Sequence, residues 1–350
     1  EFWDRGQIAE RHGDALELWP SGRPAEAEGL WIANAPPGTT TDDTRWKRVL
    51  IDHLVESKGD HALGASAENA HGLAWARRVC ELDMLAHTAG NDAVATRVGG
   101  FDDVALVRDW LAEWARVADA YSSDDVERYS RALGRFYGGD LACAGMMYAP
   151  VLGALYPGDP ASAYAHAFEL SIFDLGYARD IAACTAAMTA AAMAPGATVE
   201  DVVGVLDAVD PEGFSGSRLI GRVARSLLDQ AREVVGVATQ QKGETAQVES
   251  IYARFDRLAR HNGFHAGEVH LVNLTALLWS DGDFERAMRL VVRYGRDNDS
   301  AAAVTGAVLG ALRGAAGLPS RWVEPVEAQS RSMGMSLDAL GDSLCRLSCG

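Results

Sequence analysis

Thr41-Asp42-Asp43-Thr44-Arg45-Trp46-Lys47-Arg48-Val49-Leu50-Ile51-Asp52-His53-Leu54 reads as a helix whose first turn is crowded with oxygen atoms. Thr41 is a good N-cap, and two carboxylates in the first turn suit the positive end of the helix dipole. A second string stands far downstream, Asp297-Asn298-Asp299-Ser300. It leads into Ala301-Ala302-Ala303-Val304-Thr305-Gly306-Ala307-Val308-Leu309-Gly310-Ala311-Leu312, another helical stretch. Capping alone accounts for either string. Together they offer the hydroxyl and carboxylate oxygens that hard divalent cations take. Without a cation, carboxylates so crowded repel one another and resist full ionisation. A shared metal site is therefore the preferred reading. It requires the two ends of the chain to meet, which argues for one domain over residues 1–350.

The texture between the strings is helical. Segments rich in Ala, Leu, Arg and Glu carry apolar residues three or four apart and alternate with Gly, Pro and Asp breaks. Helices are predicted over 43–57, 68–86, 103–120, 124–137, 142–154, 160–194, 199–208, 217–235, 246–261, 267–279, 283–294 and 300–314. Alternating β-branched runs are nearly absent, so the fold class is all-α. The apolar stretch from Ala161 to Met193, broken at Gly176, is too alanine-rich and too often charged to span a membrane. It reads as central core helices. Ala302, Gly306 and Gly310 lie four apart, a face that would let a neighbouring helix come close. The polar stretch 238–245 reads as a surface loop.

A net charge of −17 argues against a phosphate-backbone partner and against an anionic membrane surface. No run of about twenty apolar residues occurs, and no signal peptide is visible. The five cysteines (Cys80, Cys143, Cys184, Cys345 and Cys349) are odd in number and scattered, which fits a reducing, cytoplasmic compartment.

Gly38-x-x-Thr41-Asp42-Asp43-Thr44, followed late by Gly295-Arg296-Asp297-Asn298-Asp299-Ser300-Ala301-Ala302, resembles the ADP-ribosylglycohydrolase family. Asp283-Phe284-Glu285-Arg286-Ala287 resembles its lead-in helix, and Pro319 and Trp322 its closing Pro-x-x-Trp. The resemblance implies a compact all-α domain with two Mg²⁺ or Mn²⁺ ions. Thr41, Asp42, Asp43, Asp297, Asp299 and Ser300 stand at the ligand positions. The family's functional glutamate, usually followed by an aromatic residue, falls on Glu1-Phe2-Trp3, with Ile8 fitting the continuation. The family's first helix would then lie upstream of Glu1.

Three departures matter. Arg296 stands where the family has glycine, and would place a cation beside the centre. In Leu141-Ala142-Cys143-Ala144-Gly145-Met146-Met147-Tyr148-Ala149-Pro150 the family's pocket asparagine and arginine are replaced by Ala142 and Met147. Its Thr-His pair is missing near Ser171-Ile172-Phe173-Asp174. A pocket without that arginine loses a bidentate anion contact.

The implied chemistry is hydrolysis of an N- or O-glycosidic bond to ribose, on a small molecule or an ADP-ribosylated protein. Such bonds break through an oxocarbenium-like state. Glu1 or a metal-facing aspartate, Asp43 or Asp299, would act as base. Asp140, Tyr148, Phe173, Asp174 and Tyr177 are candidates for the substrate pocket, with Phe173 placed to stack on a base. Asp174, Tyr177 and Asp180 read equally as a helix junction with a solvated acid. His261, His265 and His270 tempt a zinc reading but lack finger spacing. Cys345 and Cys349 lie four apart without a second pair, and Met146-Met147 reads as core filler.

Two other classes compete. One is a class I terpene cyclase, which also uses an aspartate-rich string. Its second motif would need Ser where Ala302 stands and a later Glu that is absent. The other is a non-catalytic member of the resembled family that has kept the fold.

Overall fold

The computed structural model describes residues 3–13, 17–18, 21–22, 34–57, 70–90, 93–94, 97 and 104–349. Among these the protein is helical. Extended pairing is confined to the short ladder Ser21–Gly22 with Asn34–Ala35 and a bridge between Ala142 and His265. No described helix is long and apolar enough to cross a membrane. The chain divides into two compact units. The first takes Glu1–Leu16, Leu141–Phe168 and Gly176–Leu318; the second takes Glu17–Asp140, Glu169–Leu175 and Pro319–Gly350.

The core of the first unit is alanine-rich, and small side chains bring its helices close. Ala144–Leu155 packs on Ala178–Ala192. A Cβ added at Gly153 would sit 2.5 Å from the Ala186 carbonyl oxygen, so glycine is required there. Helices Ala266–Ser280 and Asn298–Arg313 join through Thr305, whose hydroxyl donates to Asn273 Oδ1 at 3.1 Å. Of the small-residue face expected to receive a close helix, Gly306 lies against Phe284 and Met288 of helix Phe284–Tyr294, each 3.9 Å from where its Cβ would be. Asn298–Arg313 buries Ala301, Val304, Thr305, Val308 and Leu309, while Gly310 faces open space.

One buried ionic cluster ties this unit together. Asp180 and Arg222 are both fully buried and lie 2.7 Å apart. Tyr164 donates to the same carboxylate at 2.7 Å, and Arg222 also donates to the carbonyls of Leu206 and Val209. The cluster thus welds the end of helix Val199–Ala208 to helix Ala178–Ala192. Asp180 is thus at a helix junction, but as a buried, ion-paired acid and not the solvated one expected there.

The second unit is built on aromatic rings. Helix Asp42–Glu56 buries Trp46, which packs against Trp75 and Trp114 with ring centroids 5.9 and 4.2 Å away. Trp114 in turn meets Phe136 and Phe173. The C-terminal helices Ser320–Ser332 and Leu337–Cys349 complete this unit, and Arg48 donates to the Gly334 carbonyl at 3.1 Å.

Most expected helices occur. The long 160–194 stretch resolves into Pro160–Leu170 and Ala178–Ala192, with Gly176 left-handed in the break at φ 57°. The 217–235 helix starts instead at Val223, because Gly221 is left-handed and Arg222 is extended to reach Asp180. The 124–137 segment ends early at Leu133, since Tyr137, Gly138 and Gly139 all take positive φ. Three helices went unexpected: Arg5–His12, Ser320–Ser332 and Leu337–Cys349. The first buries only Ile8, and the second carries Pro325 inside it, so periodicity is a poor guide to either.

Two predictions follow from the first unit's core. Arg222→Met strands the Asp180 carboxylate and is expected to cost about 3–5 kcal/mol, with Asp180→Asn/Arg222→Met recovering part of the loss. Urea unfolding measures both; a double variant less stable than Arg222→Met contradicts the pairing. His270 is fully buried, neither ring nitrogen has a hydrogen-bond partner among the described residues, and burial, aided by Arg222, pushes its pKa down to about 3. The unfolded chain therefore binds a proton that the folded chain refuses between about pH 6.5 and about pH 3. Stability from this residue is present above that window and lost as pH falls, by up to about 1.4 kcal/mol per pH unit. His270→Leu should flatten the slope relative to the parent; parallel pH–stability curves would count against it.

Candidate functional site

In the second unit the first string sits at the start of helix Asp42–Glu56. Gly38 is left-handed at φ 84°, and a Cβ there would lie 2.7 Å from the Pro325 carbonyl oxygen. That glycine lets the loop pass under the Pro325 backbone, and Thr39 then closes a turn by donating to the Pro36 carbonyl at 2.7 Å. Thr41 occupies the N-cap but makes no side-chain capping bond. Its hydroxyl instead points to Asp43 Oδ2, at 3.4 Å. Asp42 accepts from the Asp43 amide at 3.2 Å, and the two side chains offer carboxylate oxygens within 4.8 Å of each other. Asp43 is fully buried, Asp42 half-buried. Arg45 is buried beside them; burial lowers its pKa to about 10, against the pull of Asp42.

In the first unit the second string sits at the start of helix Asn298–Arg313. Gly295 is left-handed, and the Trp3 carbonyl presses so close that no side chain fits there. Arg296 is also left-handed, at φ 60°, and its amide donates to the Trp3 carbonyl at 3.0 Å. Asp297 holds the N-cap position without a side-chain capping bond. Asp297 and Ser300 are buried; Asp299 is half-buried, and its Oδ1 is buried with no hydrogen-bond partner among the described residues.

The Leu141–Ala144 segment lies beside this loop. Cys143 donates its thiol to Asp297 Oδ2 at 3.5 Å. The segment is pinned to Phe264–Ala266 by the Cys143 amide on the Phe264 carbonyl, 2.9 Å, and the Ala266 amide on the Leu141 carbonyl, 2.7 Å. His265 caps helix Ala266–Ser280, its Nδ1 accepting from the Gly267 amide at 3.1 Å. When the imidazole is neutral, its proton therefore sits on Nε2. Tyr177 stands 6.2 Å from the His265 ring, centroid to centroid.

The remaining expected residues fall as follows. Glu1 lies outside the described residues. Asp140 is half-buried after the left-handed Tyr137–Gly139 turn, and Asp174 is buried. Tyr148 and Phe173 are each 1% exposed. The Phe173 ring is packed between Trp114 and Phe136, so in this structure it serves the aromatic core. Ala142 and Met147 are buried too, and Met146 is core filler as expected. Among the described residues, His261, His265 and His270 belong to no metal-holding group. Their zinc reading falls because His265 is a cap and His270 is sealed in the core.

Residue-by-residue reading had not singled out Cys143 beside Asp297, the capping role of His265, or Glu268. Only the bridging of two remote segments brings them to the loop, and no local spacing announces that.

Comparison with known proteins adds one match. A search of the curated proteins finds none. The family description ADP-ribosylglycohydrolase matches residues 1–349, almost the entire length over which the ordered strings, the lead-in helix and the closing Pro319 and Trp322 are spread. The chain belongs to the ADP-ribosylglycohydrolase family.

Proposed function

We propose that the protein is a divalent-cation-dependent glycohydrolase that cleaves an N- or O-glycosidic bond to ribose. Family membership implies glycohydrolase activity on ADP-ribose-type substrates. The observation that carries the metal role is the refusal of both strings to cap their own helices. Asp4, Asp125, Thr198 and Asp283 all make side-chain capping bonds; Thr41 and Asp297 do not. A buried Asp299 oxygen without a hydrogen-bond partner adds to this, since such an atom is costly unless a cation or water meets it.

The donor set fits a hard cation: carboxylates and hydroxyls on rigid helix starts. The family resemblance assigns Thr41, Asp42, Asp43, Asp297, Asp299 and Ser300 to a two-ion set of Mg²⁺ or Mn²⁺. Bound there, such ions supply Lewis acidity to water and to ribose hydroxyls. The chain's own part is to fix the sugar and to take a proton. Asp43 or Asp299 is the base we assign from the described residues; Asp140, Asp174 and Tyr177 are the pocket candidates that keep a polar group for the sugar.

The substrate is recognised by its ribose more than by its phosphates. Ala142 and Met147 supply no charge where the resemblance expects an asparagine and an arginine, and a net charge of −17 does not invite a polyanion. The same loss favours a second reading, a family member that binds a ribosylated ligand without cleaving it. A terpene cyclase is set aside by the family match.

Calorimetry with Mg²⁺ and Mn²⁺ tests the metal role. The parent protein should bind either ion, and Asp42→Ala with Asp299→Ala should abolish binding while leaving the fold intact by circular dichroism. Binding that survives both substitutions would sink the assignment. Incubation with ADP-ribosyl-arginine, ADP-ribosyl-serine and nucleosides then ranks substrates. Cleavage of none of them, with metal bound, would favour the non-catalytic reading.

A further inference from the structure

Arg296 is the oddest residue in the second string. It stands at φ 60°, a backbone conformation that costs a residue with a Cβ and that glycine adopts without penalty. The resembled family has glycine there. A departure that adds strain needs a return from the side chain.

That return is visible in its contacts. The Arg296 guanidinium forms a forked pair with Glu268: Nε donates to Oε1, and an Nη2 donates to Oε2 at 3.2 Å. The same Nη2 donates to the Arg260 carbonyl at 2.8 Å. Glu268 is itself buried in the first turn of helix Ala266–Ser280, and its Oε2 accepts from the Arg260 amide at 2.6 Å. The carboxylate is therefore held before Arg296 reaches it. The loop is anchored on either side as well. The Arg296 amide is bonded to Trp3, Asn298 Nδ2 donates to the Val292 carbonyl at 2.9 Å, and Gly263 packs so closely on the Asp297 amide that a Cβ there would lie 3.0 Å away.

Building on the metal-binding role given to Asp297 and Asp299, we propose that Arg296 is a positioning residue. Its fork on Glu268 locks the Gly295–Asp299 loop so that both aspartates are set before a cation arrives. Guanidinium geometry suits this task, because two parallel bonds fix direction as well as distance. A loop already ordered pays less on binding, and affinity gains by that saving. The strained backbone is the cost of that lock. Arg296 is not a ligand, and a cation so close would repel a metal were its charge not spent on Glu268.

The test uses the full chain. In metal-free protein, amide exchange of peptides spanning 294–302 should rise at least about tenfold in Arg296→Met, with helices Ala144–Leu155 and Ala178–Ala192 unchanged. Mn²⁺ affinity by calorimetry should fall about tenfold to a hundredfold, the range for losing a group that orients ligands. Arg296→Gly relieves the backbone, so its melting temperature should hold or rise while Mn²⁺ affinity still falls; a purely structural residue would not separate the two. Arg296→Lys should recover only part of the affinity. Glu268→Gln should reproduce the loss, and Glu268→Gln/Arg296→Met should be no worse than either single change. Unchanged exchange and affinity in Arg296→Met overturn the positioning role. A parent protein that binds no Mn²⁺ overturns the metal role of Asp297 and Asp299 instead, and the lock's purpose with it.

Discussion

A carboxylate at a helix start can be stabilised in two ways. It can cap the exposed amides, or it can share a cation with other oxygens. The choice is written in where its oxygens point. Asp283 turns back to the Arg286 amide at 2.9 Å, and Asp125 to the Arg128 amide at 2.9 Å. Thr41 and Asp297 hold the same position in their helices without a side-chain capping bond. The functional reading depends on that withheld bond: Thr41 turns its hydroxyl to Asp43 and Asp297 takes the Cys143 thiol, so both keep their oxygens among the acidic strings instead of on the helix amides.

The contrast with Asp180 sharpens the distinction. Asp180 is also a buried aspartate near a helix start, and from sequence it could have lined a pocket. Its carboxylate is answered by Tyr164 and by the Arg222 guanidinium, and Arg222 spends its remaining donor on backbone carbonyls. Such a cluster has nothing left to offer a ligand. Buried charge with every atom engaged is architecture, whereas Asp299 Oδ1 is buried with no hydrogen-bond partner among the described residues, which supports the proposed cation role.

What could be read from the sequence follows the range of the interactions involved. Helical periodicity, the Gly176 break and the positions of both acidic strings are local, and the structure keeps them. The shortened Val126–Leu133 helix and the late start at Val223 are not local: each end is set by a positive-φ residue or by a partner many positions away. Phe173 shows the same limit. Its aromatic character was legible, but only the packing of Trp114 and Phe136 decides that its ring is core. Gly38 needs to be glycine because of Pro325, far along the chain. Cys143 meets Asp297 because Leu141–Ala144 is pinned to Phe264–Ala266.

That last juxtaposition bears on how the family's chemistry has been altered in this chain. Ala142 and Met147, which stand where the resemblance expects an asparagine and an arginine, are both buried and apolar. On the same segment, Cys143 places a thiol on the Asp297 carboxylate. A thiol is a weak donor, so it orients Asp297 without neutralising it. Arg296, the residue before that aspartate, adds its fork on Glu268, again using a residue type that the resemblance does not expect there. On the proposed reading, the contacts expected for phosphate are missing while Cys143 and Arg296 hold the loop that carries the aspartates. An acidic loop held on both its flanks beside an apolar segment is the arrangement that the proposed ribose-directed, cation-dependent site calls for.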